Sequence, residues 1–92
     1  MITAIVLINA DVHRIPEAGQ AIAEIDGVTE VYSVTGSCDL IAVVRVARHE
    51  DLADVIADRI NKAEGVTSTD THIAFRTYST SDLDAAFSIG LD

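Results

Sequence analysis

Two apolar stretches decide the fold, and the first of them reads ITAIVLI at residues 2–8. Both of its alternating faces carry aliphatic side chains, a pattern that a strand tolerates only where both faces are covered. The second stretch, LIAVVRV at residues 40–46, has the same character. We therefore predict that these two stretches form the central strands of a sheet.

The two stretches hold equivalent places in a unit that the chain contains twice. Residues 27–29, Gly-Val-Thr, recur at residues 65–67, an offset of 38 residues (65 minus 27). Between the strands of each unit, apolar residues recur at helical spacing. These residues are Ile15, Ala18, Ile22 and Ile25 in the first unit and Leu52, Val55, Ile56, Ile60 and Ala63 in the second. Each unit therefore reads strand, helix, strand.

The strands that close the two units are more polar, which is typical of sheet edges. We predict them at residues 28–35 and 66–78. Two successive βαβ units with right-handed crossovers give a ferredoxin-like α+β fold, βαββαβ. Its four-stranded antiparallel sheet has the order 4-1-3-2, with both helices on one face. Ser81 is a candidate N-cap for a short C-terminal helix containing Leu83 and Phe87. At this length, residues 1–92 are expected to form a single domain.

The charge balance argues against nucleic acid as a direct partner. The 92 residues include 6 Lys and Arg against 15 Asp and Glu, which gives a formal net charge of -9. DNA and RNA binders draw much of their affinity from basic side chains that release counterions. We therefore expect no direct binding of nucleic acid.

The remaining composition predicts a cytoplasmic protein. The longest apolar runs, residues 4–8 and 40–44, are far shorter than the roughly 20 residues that span a bilayer. The single cysteine cannot form an intramolecular disulfide, and residues 1–4 lack the basic region of a signal peptide. Three histidines, His13, His49 and His72, are isolated from one another. We expect no membrane partner, no cofactor and no metal site.

One face of the predicted sheet lacks helices to cover it. On that face the two central strands place four aliphatic residues, Ile5, Leu7, Ile41 and Val43. A patch of this kind is too apolar to face water over a whole sheet. We expect a second subunit to cover it, giving a homodimer or a larger assembly with an even number of subunits.

The turn before the second central strand carries the most specific local chemistry. It contains Gly36, Ser37, Cys38 and Asp39. The small residues leave backbone N–H groups available to an anion such as a carboxylate, and Asp39 supplies an acceptor for a cation. This arrangement suits a zwitterionic amino acid. A plain hairpin, in which the glycine forms the turn and Asp39 caps backbone amides, explains the same residues.

Several features together resemble the C-terminal effector-binding (RAM) domain of the Lrp/AsnC family of transcription regulators. They are the glycine-valine pairs that begin the edge strands, the 34–39 hairpin with its G-x-x-D spacing, and the strand from Thr69-Asp70-Thr71 to Phe75. The resemblance covers residues 1 to about 87. It implies an amino-acid-binding and oligomerisation module in which dimers form sheet to sheet and assemble into rings.

The resemblance also implies where the effector binds. In this family amino acids bind in clefts between dimers near the turn, which points to Gly36, Ser37, Cys38 and Asp39, with Thr69 and Thr71 as weaker candidates. Family regulators carry a helix-turn-helix domain before this module, whereas here the first strand begins at Ile2. We therefore expect a stand-alone form, acting by itself or together with full-length Lrp/AsnC-type regulators, and not an enzyme.

Two other functions fit the same fold. One is an enzyme of the dimeric α+β barrel type acting on a small molecule, in which Arg45 or His72 would supply the chemistry. Fold similarity alone is weak support for such an activity. The other is a purely structural oligomerisation partner of full-length regulators whose ligand cleft is vestigial.

Overall fold

The computed structural model describes residues 1–78 and residue 80. The strands are β1 (Ile2–Ala10), β2 (Val28–Ser33), β3 (Leu40–Val46) and β4 (Val66–Ala74). Helix α1 spans Ile15–Ala23, and α2 begins at His49–Leu52 and continues as a wider π-helical segment over Ala53–Ile60. A 3₁₀ turn, Val12–Arg14, precedes α1. The predicted C-terminal helix with Ser81, Leu83 and Phe87 lies outside the described residues.

The sheet is antiparallel with the order β2-β3-β1-β4. Read from its other edge, this is the predicted order 4-1-3-2, so the ferredoxin-like α+β fold is confirmed. The two apolar stretches are the central strands, since each pairs with a neighbour on both sides. Central strands need cover on both faces, and this explains their aliphatic character on both sides.

The core lies between the sheet and the two helices. In the β1–β3 register, Ala4 pairs with Val44, Val6 with Ala42 and Ile8 with Leu40. Burying an aliphatic side chain contributes about 1.5 to 3 kcal/mol before entropy is subtracted, so this layer supplies much of the driving force for folding. The layer is completed by Ala18 and Ile22 from α1 and by Leu52, Val55 and Ile60 from α2, all of which are buried.

Helix α2 ends with a wider turn than an α-helix has. The amide of Asn61 donates to the carbonyl oxygen of Ile56, five residues back, over 2.9 Å. Gly65 follows with φ +95, and a Cβ there would lie 3.1 Å from the Cβ of Arg14. Glycine is therefore required at this position both by the backbone and by the close approach of the segment before α1.

Both edge strands are shorter than the sequence predicts. β2 stops at Ser33 and β4 at Ala74, whereas the predicted strands extend over residues 28–35 and 66–78. In β4 the reason is the length of its neighbour: Ala74 pairs with Thr3, and β1 begins one residue before that partner. Residues after Ala74 therefore have only Ile2 of β1 left as a possible partner. In the part of the chain described, no helix is long and apolar enough to cross a membrane.

Candidate functional site

The turn between β2 and β3 is closed by a backbone hydrogen bond. The amide of Val34 donates to the carbonyl oxygen of Asp39 over 3.0 Å. Inside the turn Gly36 has φ +125, and apart from Gly36 and its two chain neighbours no heavy atom lies within 4 Å of the position that a Cβ would take. The glycine is thus required by the backbone conformation and not by lack of space. The backbone at the tip of the turn is open to approach from outside.

Asp39 ties this turn to the end of β1. Its Oδ2 accepts a hydrogen bond from the backbone amide of Ala10 over 2.9 Å, and its own amide donates to the carbonyl oxygen of Ile8 over 2.9 Å. This is the amide-capping role that the plain hairpin assigns to Asp39. The hydrogen bonds among residues 1–78 engage only one carboxylate oxygen, Oδ2, so a capping role and a ligand-binding role are compatible.

The two threonine candidates lie apart from the turn. Thr69 and Leu40 both pair with Ile8, so Thr69 lies two strands, about 10 Å, from the start of β3. The Thr69 hydroxyl donates to Asn61 Oδ1 over 2.6 Å. Thr71 lies two residues further from the turn and is exposed. The structure therefore brings Thr69 to the same end of the sheet as the turn, but it joins neither threonine to it.

The face of the sheet opposite the helices carries an apolar centre with polar margins, and we call it the open face. At its centre Ile5 pairs with Val43 and Leu7 with Ile41. Ile5 is 38% exposed, and the other three are partly buried. The four residues predicted to form an interface are thus contiguous. Register pairs place Glu30 and Tyr32 of β2 along one margin and Asp70 and His72 of β4 along the other.

Each margin of the open face carries a polar pair. The Tyr32 hydroxyl donates to Glu30 Oε2 over 2.5 Å. This hydrogen bond, and then the negative charge of Glu30, raises the pKa of Tyr32 above its ordinary value of 10.0. On the other margin His72 Nε2 lies 3.3 Å from Asp70 Oδ2, with both side chains mostly exposed. The sequence did not single out Tyr32, because its contact with Glu30 exists only when both lie on one face of β2.

The two residues considered for catalysis are also on the open face. Arg45 Nη1 donates to the Thr29 hydroxyl over 3.3 Å, and His72 has the carboxylate contact with Asp70 described above. Within residues 1–78 and residue 80, no group of three or more His, Cys, Asp or Glu side chains could hold a metal ion.

A groove of about 340 Å³ runs between α1 and β2. The groove was not predicted from the sequence, although a signal is present: Gly19 interrupts the run of helix-forming residues in α1 and leaves space above Leu40. The groove also reaches Ser33, so its lining includes the residue before the 34–39 turn, Ser33, and the residue after it, Leu40. Its lining consists of Ile15, Pro16, Gly19, Gln20, Ala23, Val31, Ser33 and Leu40.

A second groove of similar volume lies at the opposite end of β3. It is lined by charged side chains, namely Asp26, Arg45, Asp51, Asp54 and Arg59, together with backbone and aliphatic groups. Because it adjoins the C-terminal end of β3 and the turn adjoins the N-terminal end, the two are separated by the length of the strand. This groove therefore does not belong to the turn.

Comparison with known proteins gives a consistent result. Residues 3–83 match the family model described as the Lrp/AsnC ligand binding domain. An uncharacterised helix-turn-helix (HTH) type transcriptional regulator of Pyrococcus furiosus is 34% identical over an alignment of 82 positions, and the match covers 82% of this chain and 52% of that protein. The chain spans about half the length of the curated relatives it matches.

Two solved structures extend the comparison. The structure of TTHA0845 from Thermus thermophilus has 51% identity and a TM-score of 0.81, and the match covers 86% of this chain and 99% of that chain. The feast or famine regulatory protein Rv3291c of M. tuberculosis, complexed with L-methionine, has 29% identity and a TM-score of 0.71, with 86% of this chain and 53% of that chain covered. The similarity therefore extends over the whole described fold.

Proposed function

Because this chain belongs to the Lrp/AsnC ligand-binding domain family, we propose that it binds an amino-acid effector at the Gly36–Asp39 turn and assembles through its open face. The observation that carries the proposal is the geometry of the turn. An unobstructed backbone at Gly36 lies beside a half-buried carboxylate that is held in place by the amide of Ala10. The M. tuberculosis relative that was solved with L-methionine supports the same ligand class.

The two ends of an amino acid have separate partners in this proposal. Its carboxylate accepts hydrogen bonds from backbone amides of Gly36, Ser37 and Cys38, since successive amides in a turn form a concave anion site. Its ammonium group faces Asp39, whose charge strengthens the hydrogen bond. Thr69 and Thr71 remain secondary candidates, because a ligand at the turn reaches them only across the width of two strands.

Assembly through the open face follows from its apolar centre. Ile5, Leu7, Ile41 and Val43 form one contiguous patch, and a two-fold interface lets the same patch on two subunits cover itself. The polar margins then become the rim of the interface. We propose a homodimer as the basic unit, with larger even-numbered rings formed from dimers.

Action on transcription requires a DNA-binding domain in this proposal, because the net charge of -9 opposes direct contact with DNA. The matched P. furiosus protein is a helix-turn-helix type regulator of which this chain spans about half. Full-length regulators of this kind are the proposed partners. A mobility shift at low salt tests this: the purified 92-residue chain should leave DNA unshifted.

A calorimetric screen against the proteinogenic amino acids tests effector binding. We expect at least one amino acid to bind the wild-type chain and to bind Asp39→Asn about 10- to 150-fold more weakly, since a charged hydrogen bond contributes about 1.5 to 3 kcal/mol. Asparagine can still accept from the Ala10 amide, so the fold is kept. Equal affinity for both proteins would return Asp39 to a purely structural role, and an empty screen would refute the proposed function.

A further inference from the structure

Gly19 lies inside α1, where glycine destabilises a helix relative to alanine. Neither the backbone nor the packing demands it. Its φ is not in the left-handed region, and a Cβ there would lie 3.5 Å from Leu40 Cδ2, an ordinary van der Waals contact. Because Gly19 has no side chain, the groove between α1 and β2 stays open above Leu40. A position that lowers helix stability without a structural need is the kind of local conflict found at functional sites.

The lining of the groove has an unusual composition for this chain. The whole sequence contains 21 charged side chains, 6 basic and 15 acidic, yet none of the residues that line the groove is charged. Five of them are aliphatic, and the polar ones are Gln20 and Ser33. A volume of about 340 Å³ with mostly apolar walls and few polar groups falls within the range of small-molecule sites.

The groove adjoins the turn. Ser33 ends β2 and Leu40 begins β3, so both flank the 34–39 turn, and both line the groove. A ligand held at the turn by its polar groups therefore has an apolar cavity beside it. The charged groove lies at the other end of β3 and does not adjoin the turn.

We propose that the α1–β2 groove receives the side chain of the effector, and that the effector is therefore an amino acid with an uncharged, apolar side chain. This inference rests on the proposed function and adds to it the class of ligand and the position of the specificity pocket. Acidic and basic amino acids are excluded because their charges would lose hydration in the groove and find no partner there.

A homologous series of ligands tests the pocket. The probes are L-2-aminobutyrate, L-norvaline and L-norleucine, which share the amino and carboxylate groups and differ by one methylene at each step. Each methylene that enters an apolar site strengthens binding about fourfold. We expect the affinity of the wild-type chain to rise about fourfold per step, and L-glutamate and L-lysine to bind more than about tenfold more weakly than L-norleucine.

Gly19→Leu fills the groove from α1 and should abolish the dependence on side-chain length. Because leucine is a better helix former than glycine, its thermal midpoint should be no lower than that of the wild type. The matched control is Ala57→Leu, which adds the same side chain to an exposed position on α2 and should keep the rising series. Amide chemical shifts of Gly19 and Val31 in wild-type protein titrated with L-norleucine provide a readout that needs no variant.

The outcomes separate this inference from the proposed function. A flat series in the wild type, or an equal rise in Gly19→Leu, overturns the pocket while amino-acid binding at the turn stands. Unchanged amide shifts at Gly19 and Val31 on saturation also overturn it. Binding of no amino acid by the wild type overturns both proposals.

Discussion

Replacing Val43 with aspartate should break the proposed dimer. Val43 lies at the centre of the open face, paired with Ile5 and beside the Leu7–Ile41 pair. In a two-fold interface the substitution introduces two carboxylates, one from each subunit. An unpaired charge left in a desolvated interface costs about 3 to 5 kcal/mol. The two together cost at least about 6 kcal/mol per dimer, which raises the dissociation constant by about four powers of ten.

The fold itself should tolerate Val43→Asp, because Val43 is only partly buried in the isolated subunit. Sedimentation velocity at micromolar concentration measures the effect. We expect wild-type protein to sediment as a dimer or larger assembly and Val43→Asp as a folded monomer. Ala57→Asp is the matched control, since it adds the same charge to an exposed position on α2 and should leave the assembly intact. A monomeric wild type, or a variant that assembles as tightly as the wild type, would contradict assembly through the open face.

Three further predictions concern single side chains. Asp39→Ala removes the carboxylate that holds the end of β1 and should lower the free energy of unfolding by about 1 to 3 kcal/mol in denaturant titrations, whereas Asp39→Asn should lower it less. Gly65→Ala should cost more stability than Gly36→Ala, because both strain a positive φ but only Gly65 also has close neighbours; the reverse order of thermal midpoints would contradict this. Glu30→Gln should lower the pKa of Tyr32 toward 10.0 in an ultraviolet titration, since the carboxylate raises it. Because the pKa of Tyr32 is raised in the folded chain, its hydrogen bond to Glu30 stabilises the folded state below pH 10.0. This stabilisation is lost as the pH rises through the raised pKa.

Local sequence patterns were sufficient for the order of elements and for the sheet topology. The two apolar stretches identified the central strands because a strand buried on both faces must be aliphatic on both faces. The 38-residue offset identified two βαβ units, and the handedness of their crossovers left one strand order. The ends of the edge strands were wrong by a few residues, since an edge strand stops where its neighbour stops and no local signal reports that.

The turn at Gly36–Asp39 was also identifiable from sequence, because a glycine and a nearby carboxylate are visible without any partner. Whether it binds an amino acid stays a prediction, as do the roles of Thr69 and Thr71. The structure added what surrounds the turn. Asp39 meets the amide of Ala10, 29 residues away in sequence.

Periodicity along single segments was therefore enough to predict the order of strands and helices and the faces that the helices bury, because these properties depend on periods of two and 3.6 residues, but it did not give the ends of the edge strands. The packing of helix against sheet was needed to see that Gly19 of α1 opens a neutral groove over Leu40. The pairing of strands was needed to see that Tyr32 and His72 lie on opposite margins of the open face. Such contacts join segments distant in sequence. Their geometry depends on how the helices and strands pack against one another, and the residue pattern of a single segment does not specify that packing.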